Sequence, residues 1–193
     1  ENVFFVNGTH SDCVHIALTG LLPQKPDIVL SGINCGQNMG DDVLYSGTVA
    51  AAMEGFLFGC PSFAFSQVHS GWSCLDSAAE VAEYIVDNFI KSPLPAPFLL
   101  NVNIPNTTID QMSGLVVTRL GRRHAAQSVI EQVNPRGETI YWLGAAGDAR
   151  DSTQGTDFWA TSHNYVSVTP LQVDMTNYGM LDTVRTWCNS FQS

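Results

Sequence analysis

The sequence has 193 residues, of which 45% are hydrophobic and 13% are charged, and it carries a formal net charge of −10. This length suits one domain with a small appendage. The low share of charged residues predicts that much of the surface is covered by a core or by another subunit. Because an acidic chain lacks the basic surface that nucleic acids require, the composition argues against binding to DNA or RNA polymers.

The cysteines and the apolar segments indicate the compartment. There are five cysteines, an odd number, and no two of them form a C-x-x-C pair. This usage is typical of free thiols in a reducing cytoplasm. No apolar run of the sequence approaches the roughly 18–20 residues of a membrane span, and no signal peptide is visible. We therefore expect a cytoplasmic protein that is not held in a membrane.

The first part of the chain alternates strands with helices. Its predicted elements are strands at residues 3–6, 27–30, 62–66 and 98–105, separated by helices at residues 9–22, 46–58 and 76–90. This alternation is typical of a parallel sheet covered by helices, in which ligands bind at the carboxyl ends of the strands. The polar loop at residues 31–48 lies in that position.

From residue 114 the pattern changes. Three further strands are predicted with no helices between them, and a helix is expected near the end of the chain; these elements are at residues 114–121, 138–144, 165–171 and 177–191. The polar segment at residues 122–138 suits a long hairpin arm. Such a pattern predicts an antiparallel appendage, and an exposed arm with strands often pairs with another subunit.

The loop at residues 31–48 combines three kinds of ligand-binding group. Its glycines allow the backbone to approach a ligand closely, its Ser-Gly-Thr at a helix start offers free amides and hydroxyls to an anion, and its side-chain oxygens suit Mg²⁺ or Mn²⁺. The residues concerned are Gly32, Gly36 and Gly40; Ser46, Gly47 and Thr48; and Asn34, Asn38, Asp41 and Asp42.

Each of these groups also has a simpler interpretation. Ser46 or Thr48 can be only a helix cap, the pair Asp41-Asp42 can be a solvated turn, and Asn34 can form an Asx turn within its own loop. The loop contains neither G-x-G-x-x-G nor the P-loop pattern, which argues against a dinucleotide-dependent oxidoreductase. The residues alone indicate an anion or metal–phosphate site of unspecified identity.

Five stretches of the sequence resemble the survival protein SurE family. The longest is PDIVLSGINCGQNMGDDVLYSGTVAAAMEG, and the others are VNGTHSDCVHIAL, FLLNVNIP, VTRLGRRH and QGTDFWATSHNYVSVTPL. They occur in the family's order and extend from about Val6 to Leu171. The resemblance implies a metal-dependent phosphatase of nucleoside monophosphates that uses a metal-activated water. It acts chiefly as a 5′-nucleotidase, in some members also as a 3′-nucleotidase or exopolyphosphatase.

The resemblance also implies a fold and an assembly. SurE-like proteins have a Rossmann-like, three-layer α/β/α domain with a mostly parallel sheet, and they exchange a β-hairpin and a C-terminal helix between the subunits of dimers or tetramers. We therefore expect the Rossmann-like domain at residues 1–113. The hairpin arm, a closing strand and the oligomerising helix are expected at residues 114–193. The implied cofactor is a divalent cation, Mg²⁺ or Mn²⁺.

The resemblance assigns roles to residues of the loop. Asn34 matches the family's metal-coordinating asparagine, and Asn38 and Ser46-Gly47-Thr48 match positions that line the phosphate pocket. Asp41 and Asp42 match a more variable place that does not supply the principal metal ligands. No residue of this chain is assigned as catalytic.

One part of the family's metal site precedes the matching segments. In SurE-like proteins the metal is held mainly by an Asn-Asp-Asp-Gly stretch and by a serine, both of which come before the segment that matches residues 6–9. The sequence starts at Glu1 and contains neither, so the domain is expected to lack its first strand–helix segment. We expect the 193 residues alone to be inactive. The alternative is a catalytically incomplete nucleotide- or metal-binding fragment with a structural role.

Three more residues near the loop have two interpretations each. His10 stands where many relatives have proline, and it either approaches the substrate or is a surface-loop histidine. Cys35 is next to Asn34 but has no readable histidine partner, so an inert thiol is favoured over a nucleophile. Asp12 is expected to cap or support the first helix and not to bind metal.

The second half of the chain contributes further candidates. Arg122, Arg123 and His124 form a basic cluster that can bind phosphate, a partner's carboxylates or another subunit. Asp157 is expected to be structural. The aromatic side chains Phe158, Trp159 and Tyr165 are expected to pack in a subunit interface, with base stacking as the alternative.

Overall fold

The computed structural model describes residues 3–69, 71, 73–123, 128–144 and 147–191. His124 therefore lies outside the described residues. The strands are β1 (Val29–Cys35), β2 (Ser62–Gln67), β3 (Leu99–Ile104), β4 (Gly114–Val117), β5 (Ile130–Val133), β6 (Thr139–Trp142) and β7 (Tyr165–Leu171). The helices are α1 (His10–Ile16), which continues as a π-helical turn at Ala17–Leu21, α2 (Gly47–Leu57), α3 (Leu75–Lys91), α4 (Asp157–Ser162) and α5 (Leu181–Asn189). Short 3₁₀ turns occupy Gly40–Tyr45, Ile109–Gln111 and Tyr178–Met180.

The main sheet has five strands in the order β1-β2-β3-β7-β4. β1, β2 and β3 are parallel, β7 runs antiparallel to β3, and β4 runs parallel to β7. Strands β5 and β6 form a separate antiparallel hairpin. The predicted α/β class with a mostly parallel sheet is confirmed. β4 and β7 belong to the main sheet, so the sheet crosses the predicted division at residues 113/114, which stays a prediction.

The core lies on both faces of the sheet. β2 is buried along its whole length because its side chains alternate between two helices. Phe63 and Phe65 pack with Ala78 and Val81 of α3, whereas Ala64 packs with residues of α2 on the opposite face. A strand buried on both faces reads as a continuous apolar run, which is why residues 62–66 were recognisable in the sequence.

Several predictions differ from the structure. The predicted loop at residues 31–48 begins inside β1, which continues to Cys35. The predicted antiparallel appendage is wrong for β4 and β7, which are parallel to each other and belong to the main sheet.

Residues 3–6 form no strand: they pair with no described strand, and Val3 and Phe5 are 83% and 92% exposed. Helix α4 was not predicted, because six residues are too short for a clear helical period. It begins after Thr156, whose hydroxyl accepts the N–H of Trp159 at 3.2 Å.

The hairpin β5–β6 and helix α5 have little cover. No residue of α5 is buried, and the β5 side chains are all exposed. The large apolar side chains left exposed there are Val129, Ile130, Val133, Tyr141, Trp142, Leu143, Leu181, Val184, Trp187 and Phe191. Among the described residues, no helix combines the length and the apolar character that crossing a membrane would require.

Candidate functional site

The candidate site lies where β1 ends. Gly32 has a φ of +115°, and a Cβ on it would lie 2.3 Å from the carbonyl oxygen of Phe65, so only glycine fits between β1 and β2 here. The register between the two strands shifts between Ser31 and Asn34. The N–H of Gly36 then bonds to the carbonyl of Gln67 at 3.0 Å. The chain thus leaves the sheet at its carboxyl edge, where α/β proteins bind ligands.

Asn34 presents one unused oxygen at this edge. Its Nδ2 donates to the carbonyl of Gly36 at 2.8 Å. This local bond is not the Asx turn given as the alternative, because the N–H of Gly36 bonds to Gln67 and not to the Asn34 oxygen. Its Oδ1 has no hydrogen-bond partner among the described residues. The side chain therefore ties down its own loop and still offers an acceptor that can bind a cation.

Asn38 is held in a buried amide network. Its backbone N–H donates to Oδ1 of Asn103 at 2.9 Å, and its carbonyl accepts from the side-chain amides of Asn101 and Asn103 at 2.8 and 3.0 Å. Its own Nδ2 donates to the hydroxyl of Ser66 at 2.7 Å. These contacts fix the loop on the sheet; that Asn38 also lines a phosphate pocket stays a prediction. Sequence reasoning missed Ser66, Asn101 and Asn103, although asparagines inside an apolar strand were a visible signal.

The N-terminus of α2 offers free donors. The hydroxyl of Ser46 accepts the N–H of Val49 at 3.1 Å, so Ser46 caps the helix. The N–H groups of Gly47 and Thr48 have no hydrogen-bond partner within the part of the chain that the structure describes. Free amides at the positive end of an eleven-residue helix favour an anion. Capping and anion binding are thus compatible here, since different groups perform them.

His10 lies beside these donors. It is exposed, as expected, but it is the first residue of α1 and not part of a loop. A Cβ on Gly47 would be 2.5 Å from Nδ1 of His10, which means that the imidazole ring lies against Gly47. α1 itself begins with a capping box, in which Thr9 and Asp12 exchange side-chain-to-backbone hydrogen bonds of 3.2 and 2.8 Å. Asp12 therefore has the capping role predicted for it.

The described residues do not make a complete metal site. No group of three or more histidine, cysteine, aspartate or glutamate side chains lies close enough within residues 3–123, 128–144 and 147–191, apart from 70 and 72, to hold an ion. Asn34 provides one neutral oxygen, and a divalent cation needs carboxylates to balance its charge. Asn34 thus fits as one ligand, but the remaining ligands are not among the described residues.

Asp41 and Asp42 are engaged in ion pairs. Asp41 accepts from Nη1 of Arg122 at 3.2 Å and from the backbone N–H of Arg123 at 3.0 Å. Asp42 accepts from Nε of Arg123 at 2.8 Å and also from its Nη2. These carboxylates pair with arginines of the second half of the chain; that they are not the principal metal ligands stays a prediction.

Asp157 is fully buried and binds backbone donors. Its Oδ2 accepts the N–H of Gly40 at 2.8 Å, while Oδ1 accepts those of Gly121 at 2.8 Å and Phe158 at 2.9 Å. Burial raises the pKa of Asp157 above its ordinary value, although the N–H groups that it accepts oppose that shift. The structural role expected for Asp157 agrees with this geometry.

The remaining candidates are aromatic side chains and a cysteine. Trp159 stacks between His163, at a ring-centroid distance of 4.4 Å, and Tyr165, at 5.9 Å. Phe158 is buried against Gly40 and Gly121. Base stacking by these rings stays a prediction, as does their place in a subunit interface. Cys35 is half-buried and free.

Comparisons with known proteins show the family of the chain. The family model described as survival protein SurE matches residues 1–127, a range that contains Asn34, Asn38 and Ser46-Gly47-Thr48. The chain is also similar to the SurE protein from Aquifex aeolicus, known from a crystal structure. The two share 41% sequence identity over 94% of this chain and 73% of that chain, with a TM-score of 0.80.

Proposed function

The chain belongs to the SurE family, and on this basis we propose that it is part of an enzyme that hydrolyses nucleoside monophosphates. Members of the family are metal-dependent nucleotidases and phosphatases. The finer proposal is a 5′-nucleotidase that uses Mg²⁺ or Mn²⁺. Activity on 3′-nucleotides or on polyphosphate is a possible extension of the same chemistry.

The observation that carries the proposal is the pair of free amides at the start of α2. The N–H groups of Gly47 and Thr48 can each donate to a phosphate oxygen, and the helix dipole favours the negative charge. Asn34 Oδ1 is unpartnered at the end of β1, on the same loop. In this chain of net charge −10, phosphate attraction has to come from such local donors and from a cation.

We propose that the 193-residue polypeptide alone has no measurable phosphatase activity. Its described residues offer one neutral metal ligand and no cluster of acidic ligands. The acidic ligands expected for the family would have to come from other residues. This also defines the second candidate function, a nucleotide- or metal-binding fragment with a structural role, which the same observation favours.

A phosphatase screen separates these possibilities. Release of phosphate from AMP, GMP, CMP and UMP is measured with Mg²⁺, with Mn²⁺ and with EDTA. Two proteins are compared, residues 1–193 and the longest open reading frame that contains them. We expect hydrolysis by the longer protein, abolished by EDTA, and none by residues 1–193. Substantial metal-dependent hydrolysis by residues 1–193 would contradict the proposed inactivity, and its absence from both proteins would favour the second candidate.

We also propose that the protein is a cytoplasmic homodimer or homotetramer. The exposed apolar side chains of β5, β6 and α5 support this assembly, because such side chains are normally covered in a soluble protein. Sedimentation analysis at several protein concentrations tests it. A monomer at all concentrations up to about 100 µM, where an interface of standard size is normally saturated, would contradict it.

A further inference from the structure

Three segments that are distant in sequence meet beside the candidate site. They are the loop at residues 39–42, the base of the hairpin at residues 119–123, and the start of α4. We call this contact the loop–arm joint and define it by Gly40, Asp41, Asp42, Gly121, Arg122, Arg123, Asp157 and Phe158. The joint lies between the anchored Asn38 and the cap Ser46, so it includes the middle of the loop that carries the free donors.

The centre of the joint is the Asp157 carboxylate. One of its oxygens binds the loop through Gly40, and the other binds the arm base through Gly121. Movement of the loop would break the bond between Oδ2 and the buried N–H of Gly40, and movement of the arm base would leave the buried N–H of Gly121 without its acceptor Oδ1. The cost of such unpaired groups is what makes a buried hydrogen-bond network rigid.

In the outer part of the joint, ion pairs connect the same two segments, the loop and the arm base. Asp41 and Asp42 on the loop pair with Arg122 and Arg123 on the arm base. The Arg123 side chain is only 14% exposed, and its guanidinium lies 5.5 Å from the centroid of the Phe158 ring. Bonds from both Nε and Nη2 to one carboxylate, over an aromatic face, restrict this arginine more than a surface ion pair would.

Steric contact closes the joint. A Cβ on Gly121 would lie 2.4 Å from the carbonyl oxygen of Asp151 and 2.5 Å from Cδ2 of Phe158. A Cβ on Gly40 would lie 2.7 Å from Cε2 of Phe158 and 3.1 Å from the carbonyl oxygen of Gly121. Both glycines therefore pack closely against the Phe158 ring. This leaves no space for either segment to slide past the other.

We infer that Asp157 is a positioning residue, which together with the Asp41–Arg122 and Asp42–Arg123 pairs couples the hairpin arm to the phosphate-facing loop. A displacement of the arm base is transmitted to Gly40 and from there to the segment between Asn38 and Ser46. Any contact that fixes the arm, such as a second copy of the chain, thereby orders the loop. The consequence for catalysis rests on the proposed function, whereas the coupling itself does not.

Amide hydrogen exchange tests the coupling without requiring activity. The loop peptide at residues 36–46 is monitored after changes made only on the arm side or at Asp157. We expect Arg123→Glu and Asp157→Asn each to accelerate exchange in this peptide about tenfold or more. Each change removes contacts that keep the loop closed, and amide exchange measures how often the loop opens. Asp42→Asn changes the loop side of the joint and preserves the shape of the side chain. Because the coupling acts in both directions, we expect it to accelerate exchange at residues 119–123 of the arm base.

A charge reversal distinguishes coupling from general damage. Asp42→Lys combined with Arg123→Glu should return loop exchange to within about threefold of the wild-type rate, because the ion pair is re-formed with opposite signs. Asp182→Asn is the matched control. Asp182 is another carboxylate that pairs with an arginine, but its partner Arg185 lies on the same helix α5, outside the loop–arm joint. We expect it to leave loop exchange unchanged.

Several results would overturn the inference. They are unchanged loop exchange in Arg123→Glu together with unchanged exchange of residues 119–123 in Asp42→Asn, equal acceleration of loop exchange by Asp182→Asn, or no recovery in the double variant. Unchanged exchange in α3 establishes that each variant is folded, and Asp42→Asn keeps the test decisive if Asp157→Asn does not fold. Lack of phosphatase activity in the longest open reading frame that contains residues 1–193 would contradict the proposed function and leave these exchange results as a valid test of the coupling.

Discussion

The carboxyl end of the sheet differs from the hairpin arm and α5 in the kind of side chain that is buried. At the sheet end, polar side chains are buried and bonded to one another, as in the network of Asn38, Ser66, Asn101 and Asn103. In the arm and α5, apolar side chains are exposed and none of the α5 residues is buried. The sheet end is therefore shaped by contacts within the chain, whereas the arm and α5 present surfaces that an additional partner would cover.

This difference separates two kinds of sensitivity to mutation. Changes at the sheet end should reduce the free energy of unfolding, because they leave buried groups unpaired. Changes in the arm and α5 should affect association and have little effect on the fold of the sheet domain. The loop–arm joint is where the two regions meet, so it is the place where a change in one should be detected in the other.

The largest effect on stability is expected for Asn103→Ala. This change removes both the acceptor for the Asn38 N–H and a donor to its carbonyl, and it should lower the free energy of unfolding by about 2–4 kcal/mol. Urea denaturation measures the loss. Asn88→Ala is the control, since Asn88 is exposed on α3 and bonds only to the carbonyl of Tyr84; it should change stability by less than about 0.5 kcal/mol. Equal losses of unfolding free energy in Asn103→Ala and Asn88→Ala would contradict the special sensitivity expected at the sheet end.

The second effect is on assembly. Trp187 is 62% exposed on α5, and we expect Trp187→Ser to raise the dissociation constant of the oligomer about tenfold or more, as for a central aromatic residue of an interface. Sedimentation velocity measures it. Tyr84→Ser, at an exposed aromatic of α3, is the control and should leave association unchanged. The assignment of the interface to α5 would fail if the Tyr84 variant were the weaker associator.

The smallest effect is a pH dependence at the arm base. The hydrogen bond from Arg119, followed by those from Thr153, lowers the pKa of Asp151 to about 2. A lowered folded-state pKa means that Asp151 stabilises the fold fully above about pH 4 and that this contribution is lost as the pH falls toward 2. Asp151→Asn should therefore be less stable than wild type at pH 6, and the gap should close between pH 4 and pH 2. A gap that stays constant over this range would contradict the pairing.

The sequence predicted the elements whose signals are local. The apolar residues Phe63 to Phe65 marked the buried strand β2, and Ser46 marked the start of α2. Residues 27–30 also marked a strand, but β1 begins at Val29, lies at the edge of the sheet and has only Val29 buried. These signals depend on side chains within a few positions of one another. The α/β class and the position of the candidate loop followed from them directly.

Long-range contacts were not predictable from such signals. The pairing of Asp41 and Asp42 with arginines joins residues more than eighty positions apart, and β7 reaches the main sheet only through its antiparallel register with β3. Asp157 was expected to be structural, but its two partners that are distant in sequence, Gly40 and Gly121, donate backbone N–H groups that residue type does not reveal. Only the fold brings these groups together.

The most direct test of the assigned site compares Asn34→Ala with Asp41→Ala. Initial rates of phosphate release from AMP are measured with Mn²⁺ or Mg²⁺ in the longest open reading frame that contains residues 1–193. We expect Asn34→Ala to lower kcat/KM about 100-fold, as loss of an oriented metal ligand does. Asp41→Ala should lower it by less than about tenfold, because Asp41 acts through the loop–arm joint. A greater loss in Asp41→Ala than in Asn34→Ala would contradict the assignment of the site.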